Sequence, residues 1–152
     1  MAITSYGKYM DEATGKGKLA NYQDYSADTK AAAEVIPFGV MTELTGDGKT
    51  VKVFEGGKPY GIAMAQEVHD WVTQADDQKY KTKSPVSVAR KGVLWVEALE
   101  DISMTDDVVV DPTTGNFRPA DTTTTGVVAL PSAAFKTNAK AGGLVQLEIN
   151  LP

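Results

Sequence analysis

The chain has 152 residues, 42% of them hydrophobic and 23% charged, which suits one domain with a sizeable core. Its 20 acidic residues outnumber 15 lysines and arginines, giving a formal charge of -5, which disfavours phosphate contacts because they need clustered basic side chains. The lysines are scattered apart from "KYKTK", residues 79–83, which lies beside Asp76 and Asp77 and favours a solvated loop over a basic patch. Cysteine is absent, which excludes disulfides and thiolate metal sites, and no stretch approaches the roughly 20 apolar residues that span a bilayer. We therefore expect neither nucleic acid nor a membrane as a partner.

Residues 1–35 are polar and carry four tyrosines among few aliphatic side chains: Tyr6, Tyr9, Tyr22 and Tyr25. Tyrosine is enriched at protein interfaces. The pattern predicts an N-terminal arm over residues 1–35, extended or partly helical, that becomes ordered against a partner, and a poorly ordered terminus is the alternative. The opening stretch "MAITSYGKYMDEATG" has no apolar core or cleavage site, so we do not expect a signal peptide.

A short helix is one alternative within this arm. The stretch "SADTKAAAEV" covers residues 26–35, and either Ser26 or Asp28 could cap a helix there. The three alanines that follow favour the helical state.

From residue 36 onward the sequence reads as short strands separated by turns. The stretches "PFGVMTEL", "TVKVFE" and "GIAMA" come first, with the turn dipeptide Asp47-Gly48 between the first two. The stretch "VSVARKGVLWVEAL", residues 86–99, predicts a hairpin with its turn at "RKG" and with Trp95 packed inward. Later strands are predicted at "VVVD", at "TTTTGVVALP" and at "GGLVQLEINLP". This spacing predicts an all-β body over residues 36–152, a sandwich or barrel of jelly-roll-like type.

Candidate catalytic and metal-binding residues are sparse. His69 is the single histidine, and a surface or half-buried structural role is favoured over catalysis. The carboxylate pairs Asp76-Asp77 and Asp106-Asp107 point to opposite faces if they lie on strands, so neither pair converges on one substrate. The stretch "DPTTGNF", residues 111–117, lacks the spacing of a calcium loop and favours a plain turn. We therefore predict no catalytic residues, no cofactor and no metal ion.

The order of segments in the body resembles the structural cement, or capsid decoration, proteins of tailed bacteriophages. Five segments carry the resemblance, which covers about residues 36–151: Pro37–Gly39, Gly61–Ala63, Arg90–Val96, Pro131–Phe135 and Ala141–Leu144. The resemblance implies a non-enzymatic virion structural protein, made in the host bacterial cytoplasm. It would bind the outer surface of the capsid and cement neighbouring major capsid proteins, stabilising the expanded head.

The resemblance also implies self-association, and we expect a homo-oligomer, a trimer before a dimer, because capsid lattices offer three-fold sites. The residues expected to contact the capsid or another subunit are Tyr6, Tyr9, Tyr22, Tyr25, Arg90 and Lys91. Two other functions remain open at this point. One is a head-surface module that binds carbohydrate or host through Trp71, and the other is a small β-barrel enzyme built around His69.

Overall fold

Twelve strands and no helix are present in residues 16–65 and 79–151, the part of the chain that the computed structural model describes. The strands are β1 (Leu19–Ala32), β2 (Ile36–Pro37), β3 (Met41–Leu44), β4 (Thr50–Val53), β5 (Gly61–Ala63), β6 (Lys79–Tyr80), β7 (Pro85–Glu97), β8 (Val108–Val110), β9 (Phe117–Pro119), β10 (Val128–Ala129), β11 (Ala133–Phe135) and β12 (Leu144–Asn150). They form sheets of seven, three and two strands in a sandwich-like arrangement. The predicted all-β class is confirmed. The described residues contain no helix with the length and apolar character needed to cross a bilayer.

Strand β7 connects the parts of the large sheet, whose order is β1-β4-β3-β5-β7-β12-β11. One edge of β7 pairs with β1, and the other edge pairs first with β5 and then with β12. Because β1 also pairs with β4, the strands β1, β4, β3, β5 and β7 close into a ring. The backbone of β7 therefore has hydrogen-bonding partners on both sides along most of its length.

Two hydrophobic cores lie along β7. In the first core, Val86 and Val88 pack with residues from β2 to β6, and the rings of Phe38 and Tyr80 meet edge to face with centroids 5.1 Å apart. In the second core, Leu94 and Val96 pack with residues of β8, β9, β11 and β12, among them Val110, Phe117, Phe135, Val145, Leu147 and Ile149. A single strand thus contributes side chains to both cores, with Val86 and Val88 in the first and Ala89, Leu94 and Val96 in the second.

The stretch "VSVARKGVLWVEAL" does not form the predicted hairpin. Arg90, Lys91 and Gly92 lie within the continuous strand β7, and the register with β12 passes through all of Lys91 to Glu97. Gly92 has φ 140°, and a Cβ there would lie 3.0 Å from the Cβ of Tyr25. The glycine therefore makes room for an irregular part of β1 rather than turning the chain.

The predicted inward packing of Trp95 is also wrong. Leu94 and Val96 are fully buried, whereas Trp95 is half-buried on the opposite face of β7. Its backbone N–H donates to the carbonyl of Lys18 at 2.9 Å, and its carbonyl accepts from Gly17 at 2.7 Å. The alternation of β7 decides the outcome, because neighbouring residues on one strand cannot both face the same core.

The helical alternative for residues 26–35 is wrong. Residues 27–31 pair in register with Ala89 to Pro85, and β1 is extended from Leu19 to Ala32. A short alanine run gains little from helix formation, because the first turn is costly to nucleate, and pairing with a neighbouring strand outweighs that local preference. The large sheet therefore includes residues 19–32, which lie within the arm predicted over residues 1–35.

The predicted strand in "TTTTGVVALP" is shorter than expected. Only Val128 and Ala129 form β10, and the threonine run, residues 122–125, is irregular with bends. In the last predicted strand, the alternation holds over β12, where Val145, Leu147 and Ile149 are buried and Leu144 lies half-buried on the opposite face.

Strand β5 approaches β7 very closely at Gly61. A Cβ at this position would lie 2.4 Å from the carbonyl oxygen of Ala89 and 2.5 Å from a methyl group of Val88. Only glycine allows the two backbones to come this near.

We predict that Gly61→Ala lowers the free energy of unfolding by about 1–3 kcal/mol, because the added methyl group forces β5 away from β7. The measurement is chemical denaturation followed by tryptophan fluorescence. Gly46→Ala is the matched control, since no atom lies within 4 Å of a Cβ there, and its change should stay within about 0.5 kcal/mol. Equal stability of the two variants would contradict the close approach.

Candidate functional site

The structure describes three of the six predicted interface side chains. Tyr25 is 48% exposed on β1, and Arg90 and Lys91 are consecutive residues in the middle of β7. Tyr22 belongs to β1, but its side chain lies outside the description, as do Tyr6 and Tyr9 altogether. Their contact with a capsid or another subunit stays a prediction.

Tyr25 and Lys91 meet at an irregular part of β1. Asn21 pairs with Val93 and Ser26 pairs with Lys91, so four residues of β1 stand opposite Gly92 alone. Asp24 has φ 58° in this bulge, and its carboxylate accepts from the Lys91 ammonium at 3.0 Å. The bulge holds Tyr25 out from the sheet, which is the usual effect of extra residues in one strand of a pair.

Arg90 is largely enclosed, in contrast to its neighbour. Its side chain is 18% exposed, and the guanidinium carbon lies 4.1 Å from the centre of the Tyr60 ring. The guanidinium donates to the carbonyl of Tyr60, and its Nε lies 3.9 Å from a carboxylate oxygen of Asp28. Arg90 therefore joins β7 to β1 and to the loop before β5, and its cation–π contact needs this fixed position.

The Tyr60 hydroxyl completes this cluster by donating to Asp28 Oδ2 at 2.6 Å. Burial raises the pKa of the Tyr60 hydroxyl, and the hydrogen bond to Asp28 raises that pKa further. The ammonium of Lys30 lies 5.8 Å from the centre of the same ring. Neither Tyr60 nor Asp28 was expected from the sequence, because their pairing joins residues 32 positions apart and no short motif encodes it.

A surface groove of about 300 Å³ lies beside the Arg90 cluster. It is lined by Glu43, Leu44, Gly57, Lys58, Pro59, Tyr60, Arg90 and Leu151. Leu44 is 39% exposed there, while Glu43 is buried, accepts from the Gly57 amide at 2.8 Å and faces Lys52 at 3.3 Å.

The residues of the alternative functions lie mostly outside the described ranges. Trp71, the candidate for carbohydrate binding, falls between residues 66 and 78, as do His69 and the pair Asp76-Asp77. The carboxylate of Asp106 accepts from the Ser103 amide at 2.8 Å and stabilises a turn. No group of three or more His, Cys, Asp or Glu side chains that could hold a metal ion occurs in residues 16–65 and 79–151.

The stretch "DPTTGNF" forms a turn held by an arginine. The side chain of Asp111 is 5% exposed; Oδ1 accepts from the Thr113 amide at 2.8 Å and Oδ2 accepts from Arg118 Nε at 2.9 Å. The same guanidinium donates through Nη1 to Glu100 at 2.9 Å, and the Thr122 hydroxyl donates to that carboxylate oxygen. Both carboxylate oxygens of Asp111, which a calcium loop would use as ligands, therefore accept hydrogen bonds from the protein itself.

The pKa values of both carboxyl groups are below their usual range. Burial raises the pKa of Asp111, but the Thr113 amide and the Arg118 guanidinium together lower it by more. The Thr122 hydroxyl, followed by Arg118, lowers the pKa of Glu100. Both groups therefore stabilise the fold in their ionised form.

Comparison with known families identifies the chain. A family model described as structural cement protein (E217 gp24/Pam3 gp6) matches residues 3–150. The chain belongs to this family. The resemblance seen in the order of the sequence segments is thereby confirmed, and the match extends beyond those segments into the N-terminal region.

A solved phage capsid structure shares the fold of this cement family member. A chain of the capsid of Myoviridae phage XM1 has a TM-score of 0.70 at 14% identity, over 97% of this chain and 98% of that chain. The head fiber gp8.5 N base of bacteriophage phi29 gives a TM-score of 0.49 at 16% identity, over 84% of this chain and 95% of that chain. No curated protein matches the sequence.

We predict that Arg118→Met lowers the free energy of unfolding at pH 7 by roughly 2–4 kcal/mol, because it leaves a buried carboxylate unpaired. Lys140→Met is the control. The side chains of Lys140 and Asp101 are 90% and 68% exposed, so their ion pair should contribute almost nothing to stability.

The stabilisation by Arg118 should also depend on pH. Because the pKa values of Asp111 and Glu100 are lowered in the folded state, the stabilisation is present above the ordinary carboxyl range near pH 4 and is lost as the pH falls through the folded-state pKa values. The difference between wild type and Arg118→Met should therefore shrink in acid, as measured by denaturation at several pH values. A difference that stays constant from pH 7 to below pH 4 would contradict this role.

Proposed function

We propose that this chain binds the outer surface of a bacteriophage capsid and cements neighbouring major capsid proteins, which stabilises the expanded head. The observation that carries the proposal is the match to the structural cement family over residues 3–150. The capsid origin of the XM1 chain with the same fold agrees with it. In this proposal the protein acts in the virion and catalyses no reaction.

The physical properties of the body support a mechanical role. Both hydrophobic cores are fully buried around β7, and most strands of the large sheet are tied to more than one neighbour. A body of this kind keeps its surfaces at fixed separations under load, since opening it requires several strand pairs to break together. Such a body suits a protein that holds capsid subunits against internal pressure.

The second part of the proposal concerns residues 1–15 and the tyrosines Tyr6 and Tyr9. An arm that becomes ordered on the capsid pays an entropy cost, but it spreads its contacts over a wide surface and across subunit boundaries. Where copies on one shell are linked to each other, the links help to hold each copy on the shell. The trimer expected from lattice symmetry stays a prediction, because no contact within residues 16–65 and 79–151 favours it over a dimer.

We predict that deleting residues 1–15 weakens binding to expanded capsids at least tenfold, because it removes Tyr6 and Tyr9 with the rest of the arm. The deletion ends before Lys16, so every described contact of β1 and of Gly17 with Trp95 remains. Binding is measured by co-sedimentation of the full and shortened chains with expanded shells that lack the protein.

Two controls make this experiment decisive. The shortened chain must unfold at the same temperature as the full chain, which shows that its body is intact. Unexpanded shells should bind neither form, because the proposal places the contacts on the expanded lattice. Full binding by the shortened chain would remove the arm from the proposal, and failure of the full chain to bind expanded shells would contradict the cementing function itself.

A further inference from the structure

The side chain of Asn116 is a buried amide with one unused acceptor. Asn116 is 7% exposed, and its oxygen Oδ1 accepts no hydrogen bond from the part of the chain that the structure describes. Its nitrogen Nδ2 donates to Glu97 Oε2 at 3.5 Å. A buried acceptor without a donor costs free energy, so such an atom in a native protein calls for a physical explanation.

A lysine meets the same carboxylate oxygen. The ammonium of Lys16 donates to Glu97 Oε2 at 3.2 Å, and the two side chains are only 23% and 33% exposed. One oxygen atom therefore bridges an amine and a side-chain amide. Lys136 and Glu148 form an ion pair with the same 3.2 Å separation, but both of those side chains are exposed. The pair of Lys16 and Glu97 is thus better shielded from water than an ordinary surface ion pair.

The backbone holds each of the three side chains in place. Gly17, next to the lysine, donates to the carbonyl of Trp95 at 2.7 Å. Glu97 is the last residue of β7 and pairs with the first residue of β12. The carbonyl of Asn116 accepts from the amide of Asp111 at 2.8 Å. The fold therefore brings amine, carboxylate and amide together before any reaction, which is the main requirement of an intramolecular step.

An amine, a carboxylate and a carboxamide in this arrangement are the components of an isopeptide bond. The amine is the nucleophile, the amide carbon is the electrophile, and a carboxylate between them moves protons from one to the other. Once protonated, the carboxyl group of Glu97 has an O–H that can donate to Asn116 Oδ1. The unused acceptor is thereby explained as the oxygen on which negative charge develops during the reaction.

We propose that Lys16 and Asn116 form an isopeptide bond within the chain, with Glu97 as the proton carrier. Glu97 takes a proton from the Lys16 ammonium, and the lone pair of Nζ then attacks Cγ of Asn116. The bond between Cγ and Nδ2 breaks, and its electron pair leaves with the nitrogen. The two protons that Nζ loses pass through Glu97 to this nitrogen, which departs as ammonium. One C–N bond forms, one C–N bond breaks, and Glu97 ends as a carboxylate again.

The bond joins the arm to the body at a defined point. Lys16 directly follows residues 1–15, and Asn116 lies just before β9 in the second hydrophobic core. Tension on the arm then acts on a covalent bond to the body as well as on the strand pairs of β1. The reaction takes place once within each chain and has no external substrate. It is therefore independent of capsid binding, and either proposal can fail while the other stands.

Intact-mass spectrometry of the full chain tests the proposal. After incubation of the purified protein, its mass should be lower than the sequence mass by one ammonia molecule. Glu97→Gln should keep the sequence mass because it removes the proton carrier. Lys16→Arg should keep it as well, because the guanidinium retains the positive charge but does not replace the amine. The matched control is Glu148→Gln, which alters the exposed ion pair and should lose ammonia as the wild type does.

Proteolytic digestion then assigns the bond. The peptide that contains Lys16 should be joined to the peptide that contains Asn116, and trypsin should not cleave after Lys16. Melting temperatures show whether each variant is folded. A folded Glu97→Gln chain that still forms the linked peptides would overturn the role of Glu97.

Two results would overturn the bond itself. One is a folded wild-type chain that keeps its full sequence mass, which would leave the cluster as an ion pair beside a hydrated amide. The other is a loss of ammonia without the linked peptides, since cyclisation of an asparagine to a succinimide also releases ammonia.

Discussion

The two-sided pairing of β7 is the interaction on which the rest of the fold depends. One edge of this strand follows β1, and the other passes from β5 to β12 without a break in the strand itself. The same strand contributes buried side chains to both hydrophobic cores. The two cores are therefore joined by one continuous strand.

Both arginines of the chain, Arg90 and Arg118, join separate segments of the fold. Arg90 stacks on Tyr60 and faces Asp28, and Arg118 lies between Asp111 and Glu100. Planar guanidinium groups suit this purpose, since each can contact two partners in fixed directions.

The sequence predicted the all-β class and the strands with clear alternation. In β12 the buried positions Val145, Leu147 and Ile149 follow the expected period of two, and the signal is local to the strand. The turn predicted at Arg90 to Gly92 was wrong. Glycine after two basic residues is typical of a turn, whereas here the glycine accommodates a bulge in β1. That bulge is a long-range feature, and nothing within "RKG" encodes it.

The surroundings of the candidate site residues were harder to predict than the fold. Exposure of Tyr25 agrees with the expectation of an interface tyrosine, but the enclosure of Arg90 depends on Tyr60 and Asp28, which lie far away in the sequence. The strand β1 could not be foreseen either, because residues 26–32 have a local preference for helix and pair with β7 and β4 in the fold. Family membership reached further than the local patterns, since it uses the order of segments along the whole chain.

The most direct test of the cementing account is the copy number of this protein in purified phage particles. Quantitative mass spectrometry would compare it with the major capsid protein of the same particles. The account predicts a copy number equal to that of the major capsid protein or a simple fraction of it, as expected for a protein that occupies every equivalent site of the shell. A few copies per particle, or none, would contradict the account.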